Sequence, residues 1–125
     1  MQKRILIVDD DEMIADLMEQ TLLEEGYSAR KTTQSLRFFD EVRDFRPDLI
    51  LLDLMMPYLD GSDELQLLAL QPDTRDIPII MITADGTAKS REEDYQKMGV
   101  RTVIIKPVNL TELLQLIRAT IGAPQ

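Results

Sequence analysis

The chain contains no cysteine and no histidine. The lack of cysteine excludes disulfides, thiolate metal sites and a cysteine nucleophile. The lack of histidine excludes imidazole as a general base, as a zinc ligand and as a phosphoryl carrier on this chain. Positive charge is scarce as well, since 14 Lys and Arg residues stand against 23 Asp and Glu residues, a formal net charge of −9. This acidity argues against nucleic acid as a direct partner, because the phosphate backbone attracts clustered Lys and Arg.

Long apolar runs are missing too. None approaches the roughly 18–20 residues that a membrane-spanning helix needs. The first four residues, Met1–Arg4, lead straight into a predicted strand and leave no room for a signal peptide. We therefore expect a soluble, cytoplasmic protein with no membrane partner.

Strand and helix patterns alternate along the 125 residues. The strands are predicted at 5–8, 28–32, 49–52, 79–82 and 103–105, each followed by a helix. This alternation is typical of a parallel sheet with right-handed crossovers. Four strands are apolar throughout, whereas the second carries Arg30 and Lys31 and belongs at a sheet edge. The pattern predicts one α/β domain, residues 1–125, without an effector domain. Its fold is a flavodoxin-like three-layer (βα)5 sandwich whose five-stranded parallel sheet has the order 2-1-3-4-5.

The helices are placed by their caps and by apolar periodicity. Gly26 is expected to end the first helix, and Asn109 with Glu112 forms a capping box at the start of the last. The second helix is expected to begin near Thr33 or Ser35, and two others are predicted at 62–70 and 89–98. The apolar faces of the first and last helices are predicted to consist of Ile14, Leu17, Met18, Thr21 and Leu22, and of Leu110, Leu113, Leu114, Ile117 and Ile121.

Each buried strand is followed by a residue that can take part in chemistry. Asp9 and Asp10 follow the first strand, Asp53 the third, Thr83 the fourth and Lys106 the fifth. In open α/β sheets, ligands bind beyond the carboxyl ends of the strands where the strand order reverses, here between strands one and three. We therefore expect Asp9 and Asp10 beside Asp53, with Thr83 and Lys106 on the same rim.

These residue types predict phosphoryl transfer. Crowded carboxylates without histidine or cysteine suit a hard cation, Mg²⁺ first and Mn²⁺ as an alternative. An aspartate can act as a nucleophile and form an aspartyl phosphate. Lys106 suits a phosphate oxygen, and Thr83 offers a hydroxyl donor. Asp11 is predicted to cap the first helix, with a metal contact as the alternative.

Along its whole length the chain resembles a response-regulator receiver domain of bacterial two-component signalling. The resemblance rests on the order and spacing of residues 5–10 (ILIVDD), 47–57 (PDLILLDLMMP), 60–61 (DG), 82–84 (ITA) and 106–107 (KP). It implies that Asp53 is the phospho-acceptor. The implied Mg²⁺ ligands are Asp10, Asp53, the main-chain carbonyl of Met55 and, through water, Asp9.

The resemblance also implies how the site would be used. Thr83 would bond the phosphoryl group, Lys106 would pair with it, and the Lys106–Pro107 peptide would commonly be cis. The donor would be a phosphohistidine on a sensor histidine kinase or a phosphotransfer protein. The face made by the fourth helix, fifth strand and fifth helix would then control a partner, an attached output domain or a homodimer. Such a protein is a switch and not an enzyme, apart from self-phosphorylation and slow autodephosphorylation.

Two stretches depart from the common receiver pattern, and Met55 occupies one of its variable positions. Many receivers carry an aromatic residue three positions before Lys106 that turns inward on activation, and Val103 stands there. Residues 100–102 (VRT) replace an acidic pair found in receivers that dimerise symmetrically. Met55 lies two residues after Asp53, where its apolar side chain would not orient an attacking water. The apolar side chain of Met55 therefore predicts that the phosphoryl group is lost slowly.

Three other functions remain as alternatives. A degenerate, phosphate-independent receiver would act as an interaction module, but it would usually lack Asp53 or Lys106. A haloacid-dehalogenase-type phosphatase would carry a second aspartate two residues after its nucleophile, at the position of Met55. A flavin-binding module would need a Ser-, Thr- or Gly-rich phosphate loop after the first strand, where three aspartates would repel the phosphate.

Overall fold

The computed structural model describes residues 2–34, 37–53 and 70–124. Its five strands are β1 (Arg4–Val8), β2 (Ser28–Thr32), β3 (Leu49–Leu52), β4 (Ile79–Thr83) and β5 (Val100–Ile105). They form one parallel sheet in the order β2-β1-β3-β4-β5. The predicted fold and strand order are therefore confirmed, and the polar strand β2 lies at an edge.

Four α-helices lie in the described part of the chain: α1 (Glu12–Glu25), α2 (Phe38–Phe45), α3 (Glu92–Lys97) and α4 (Leu110–Ile121). A 3₁₀ turn, Ala88–Arg91, leads into α3. None of these helices combines the length and the apolar character that a membrane crossing requires.

The sheet separates two apolar layers, and β1 shows why. Successive side chains of a strand point to opposite faces. Leu6 and Val8 pack in the layer that contains α2 and α3, whereas Ile5 and Ile7 pack in the layer with α1 and α4. All four are fully buried. A strand covered on both faces needs this unbroken apolar run, and its carboxyl end is left as the place for polar chemistry.

Local capping follows the sequence closely. The Asp11 carboxylate accepts hydrogen bonds from the backbone N–H groups of Met13 and Ile14, which makes it the N-cap of α1. Gly26 ends that helix in the left-handed region at φ 103°. The Asn109 side chain accepts the Glu112 N–H at the start of α4. The three caps are therefore confirmed, and of the predicted capping box the structure shows the bond accepted by the Asn109 side chain.

Several predicted boundaries and faces were wrong. Helix α2 begins at Phe38, where Arg37 supplies no capping side chain, so Thr33 is not its cap. Leu17 is 52% exposed, because the buried stripe of α1 runs through Ala15, Met18 and Leu22 instead. Strand β5 begins three residues earlier than predicted, at a register shift opposite Ile79 and Ile80. Ser35 and most of the helix predicted at 62–70 lie outside the described residues.

Candidate functional site

The carboxyl ends of four strands converge on one rim of the sheet. Asp53, directly after β3, donates its backbone N–H to the carbonyl oxygen of Val8 in β1 at 2.9 Å. Lys106, directly after β5, donates its backbone N–H to the carbonyl of Thr83 at 2.8 Å. These bonds continue the ladder one residue beyond the strands. They bring the last residues of neighbouring strands side by side, as the strand order predicts.

Three carboxylates gather at this rim. Oxygen atoms of Asp9, Asp10 and Asp53 all lie within 4.8 Å of one another. Asp9 and Asp53 are only 1% and 5% exposed, whereas Asp10 faces solvent. The predicted acidic cluster is therefore present, with two buried members and one that water can reach.

One ammonium group joins the two buried carboxylates. The Lys106 Nζ lies 2.9 Å from Asp9 Oδ2 and 3.0 Å from Asp53 Oδ2. Its side chain is 14% exposed, so the contacts are largely shielded from water. The Lys106–Pro107 peptide bond is cis, as the resemblance implies.

Burial and charge act in opposite directions on these groups. Burial raises the pKa of Asp9, although the Lys106 ammonium and the Asp11 N–H both favour its charged form. Burial alone would lower the pKa of Lys106, but its hydrogen bonds to Asp9 and Asp53 outweigh burial and raise it. The lysine is therefore charged at neutral pH, whereas burial makes the ionised form of Asp9 less favourable than it would be in water.

The donor set fits a divalent cation. Three carboxylates and one ammonium leave an excess of negative charge among the described residues of the rim. Oxygen ligands alone, one of them exposed, suit Mg²⁺, which prefers carboxylates and keeps several waters. Met55, whose carbonyl the resemblance assigns to the same ion, lies outside the described residues. Asp11 is not part of the cluster, because its carboxylate is taken up by the start of α1.

Thr83 ends β4 with its side chain 1% exposed. Its Oγ1 accepts the backbone N–H of Asp85 at 3.1 Å, so the hydroxyl is already engaged by the loop that follows. The Asp85 carboxylate in turn accepts bonds from the Thr87 N–H and hydroxyl and, at 3.0 Å, from Arg91. Hydrogen bonds from Thr87 are the main reason that the pKa of Asp85 is lowered.

This loop network was missed by the sequence analysis. The signal available was the spacing of Asp85 and Thr87, since an aspartate often accepts the N–H two residues on. The bond from Arg91 to Asp85 had no comparable signal, because it depends on the 3₁₀ turn that brings the two side chains together.

Comparison with known proteins identifies the same architecture. A family model described as the response regulator receiver domain matches residues 5–118. The DNA-binding dual master transcriptional regulator RpaA of Synechocystis is 35% identical over 116 residues, which are 93% of this chain but 48% of that protein. The polar-differentiation response regulator DivK of Brucella anthropi is 31% identical over 122 residues, 98% of each chain. The chain thus spans about half of RpaA and nearly all of DivK.

A solved structure gives a parallel result. The receiver domain of the sensor histidine kinase PA1611 from Pseudomonas aeruginosa matches with a TM-score of 0.83 and 26% identity. The match covers 98% of this chain and 100% of that one. That structure is described as having a magnesium ion coordinated in its active-site cleft.

Proposed function

This chain belongs to the response-regulator receiver family, and from that premise we propose that it is a phospho-accepting switch that carries its phosphoryl group on Asp53. The observation that carries the proposal is the buried contact of Lys106 with Asp9 and Asp53 beside the exposed Asp10. A degenerate receiver has no need to keep the acceptor, the acidic pair and the lysine together in one contact set.

Asp10 and Asp53 would hold Mg²⁺ directly, with the carbonyl of Met55, while Asp9 would act through water. When bound, the cation supplies charge neutralisation for the oxygens of the transferring phosphoryl group. The exposed side chain of Asp10 leaves a way in from solvent, which both the cation and the donor require.

The chain's own residues divide the remaining work. A carboxylate oxygen of Asp53 attacks phosphorus, a new O–P bond forms, and the N–P bond of the donor phosphohistidine breaks. The donor imidazole leaves with the bonding electron pair and takes up a proton. Lys106, already in contact with Asp53, can pair with the added negative charge, and the Thr83 hydroxyl can donate to a phosphoryl oxygen.

The partners follow from this chemistry. The donor is a sensor histidine kinase or a phosphotransfer protein, because this chain has no histidine of its own. The output is control of a partner, an attached domain or a homodimer. It acts through the face made by α3, β5 and α4, whose helices are the fourth and fifth of the predicted pattern. With a net charge of −9, direct contact with nucleic acid is not part of the proposal, nor is a membrane. We place the protein in the cytoplasm, where its phosphohistidine donors act.

Intact mass after incubation with Mg²⁺ and a small phosphoryl donor tests the assignment. Acetyl phosphate and phosphoramidate are both used, since the second contains the P–N bond of a phosphohistidine. We expect a gain of one phosphoryl group that is lost with EDTA and lost in Asp53→Asn. Asp76→Asn, which removes an exposed carboxylate away from the rim, is the matched control and should gain it normally.

Two results would count against the proposal. A gain that survives Asp53→Asn would place the acceptor elsewhere. No gain from either donor, in a folded protein that binds Mg²⁺, would favour the phosphate-independent interaction module.

A further inference from the structure

The outer edge of β5 is covered by side chains of the segment that precedes it. Among the strands that the structure describes, β5 pairs with β4 alone. On its other side, the Val103 N–H donates to Glu92 Oε2 at 2.8 Å, and Lys89 Nζ donates to the Val103 carbonyl at 2.9 Å. Lys89 and Glu92 also contact each other at 2.9 Å. We call this closed set of three bonds the Val103 clasp.

The clasp takes the place of a neighbouring strand. An edge strand presents unpaired N–H and C=O groups, and each needs a partner. Glu92 supplies an acceptor and Lys89 a donor, so Val103 is paired on its outer side as it would be inside a sheet. Hydrogen bonds to Lys89 and to the Val103 N–H lower the pKa of Glu92, which keeps the carboxylate charged at neutral pH. Bonds of this charged kind are stronger than neutral ones.

One short segment connects the clasp to the phosphorylation rim. At its start, the Asp85 N–H is bonded to the Thr83 hydroxyl. In its middle, the Asp85 carboxylate holds Arg91 at 3.0 Å. Glu92 follows Arg91 directly and reaches across to Val103. A change in the bonding of the Thr83 hydroxyl therefore acts on the same eight-residue stretch that places Lys89 and Glu92 against β5.

We propose that the Val103 clasp is the two-state element that carries the phosphorylation signal to the α3–β5 surface, in place of an aromatic side chain. This inference rests on the proposed function. With Asp53 unmodified, the Thr83 hydroxyl accepts the Asp85 N–H and the clasp is closed. When the Thr83 hydroxyl turns to the phosphoryl group, the segment shifts and the clasp opens.

A ligand can shift the balance between two conformations only if it interacts differently with each of them. The phosphoryl group contacts Thr83 in one state alone. An open clasp leaves the Val103 N–H and C=O, with the charged ends of Lys89 and Glu92, available to a partner.

Hydrogen exchange of the Val103 amide, followed by NMR, tests the clasp in unmodified and phosphorylated protein. The same samples are weighed by mass spectrometry to establish the phosphoryl group. We expect phosphorylation to speed exchange at Val103 by about tenfold or more, the range set by losing a bond to a charged group. Glu92→Ala should show fast exchange without phosphorylation and no further increase with it. Glu93→Ala, which removes an exposed carboxylate from the same helix, should behave like wild type.

Two further variants separate the proposed effect from a loss of folding and test the route through Thr83. Glu92→Gln keeps the size and an acceptor oxygen, so it should fold normally and should speed exchange at Val103 in unmodified protein by less than Glu92→Ala does. Thr83→Ala removes the hydroxyl and is compared only in samples whose mass shows the phosphoryl group; exchange at Val103 should then stay the same in both states.

Unchanged exchange at Val103 in a sample that carries the phosphoryl group would overturn the clasp and leave the proposed function intact. A wild-type response in Thr83→Ala would overturn the route through Thr83. A sample that gains no mass would overturn the proposed function, and the inference would fall with it.

Discussion

Replacing Lys106 with methionine should destabilise the metal-free protein and make its stability depend strongly on Mg²⁺. Methionine keeps most of the length of the lysine stem and removes only the ammonium. Asp9 and Asp53, at 1% and 5% exposure, then each lose the cation that contacts them at 2.9 and 3.0 Å. The change in stability therefore reports the loss of the charge more than a loss of side-chain packing.

The size of the loss follows from the burial of the pair. Removing one partner of a buried ion pair costs about 3–5 kcal/mol, because a charge is left uncompensated in a poorly hydrated place. Exposure of Asp10 lets water reach one side of the cluster, so we expect a value near the lower end, about 3 kcal/mol. For a domain of this size that corresponds to a fall of about 10 °C in Tm.

Mg²⁺ should restore more stability to the variant than it adds to the wild type. In the wild type the cation competes with the ammonium for the same carboxylate oxygens, whereas in Lys106→Met the ammonium is gone. Binding to the native state alone raises stability with cation concentration. The difference between the two proteins should therefore shrink as Mg²⁺ is added.

Urea unfolding followed by circular dichroism, in EDTA and in saturating Mg²⁺, measures both effects. Lys97→Met is the control, because it removes the same charge from an exposed position on α3. It should match the wild type within about 0.5 kcal/mol. Equal stability of Lys106→Met and wild type in EDTA would refute the view that the ammonium compensates the buried carboxylates. So would an equal gain from Mg²⁺ in both proteins.

Two other substitutions test single residues. Asp11→Ala should cost about 1 kcal/mol of unfolding free energy, because it removes the acceptor for two N–H groups at the start of α1. Asp11→Asn, which caps as well, should recover most of that loss in the same urea assay, and an equal loss in both variants would show that the cap is not the cause. Met55→Asn should shorten the life of the phosphoryl group by placing a polar side chain where it can orient water. Intact mass over time measures this, and an unchanged rate of loss would contradict the role given to Met55.

The sheet was predictable because burial on both faces leaves a plain signature. The runs 5–8, 49–52 and 79–82 are apolar at every position, and such runs suit only central parallel strands. Arg30 and Lys31 mark β2 as an edge strand, because a strand covered on both faces has no place for charged side chains. Once the order is known, the meeting of Asp9, Asp10 and Asp53 follows from geometry alone.

What the sequence did not reveal depends on contacts between side chains and backbone. The register shift near Arg101 lengthens β5 beyond its apolar residues, and no local pattern marks it. Leu17 satisfies the helical period as well as Met18 does, so only docking of α1 decides which is buried. The bonds of Lys89 and Glu92 to Val103 need a 3₁₀ turn of defined length, which composition does not specify.

Under the proposed function, the position of Lys106 is what allows the site to switch. The ammonium is charged at neutral pH and is shared between Asp9 and Asp53, so part of the negative charge of the rim is offset before any phosphoryl group arrives. Under the proposed function, new negative charge on Asp53 draws that ammonium away from Asp9 and offers the Thr83 hydroxyl a new acceptor. Both displaced groups lie next to β5: Lys106 follows the strand directly, and the Thr83 carbonyl accepts the Lys106 N–H. Under the proposed function, a change at the rim would therefore reach β5 through main-chain neighbours, a path that needs no aromatic residue at position 103.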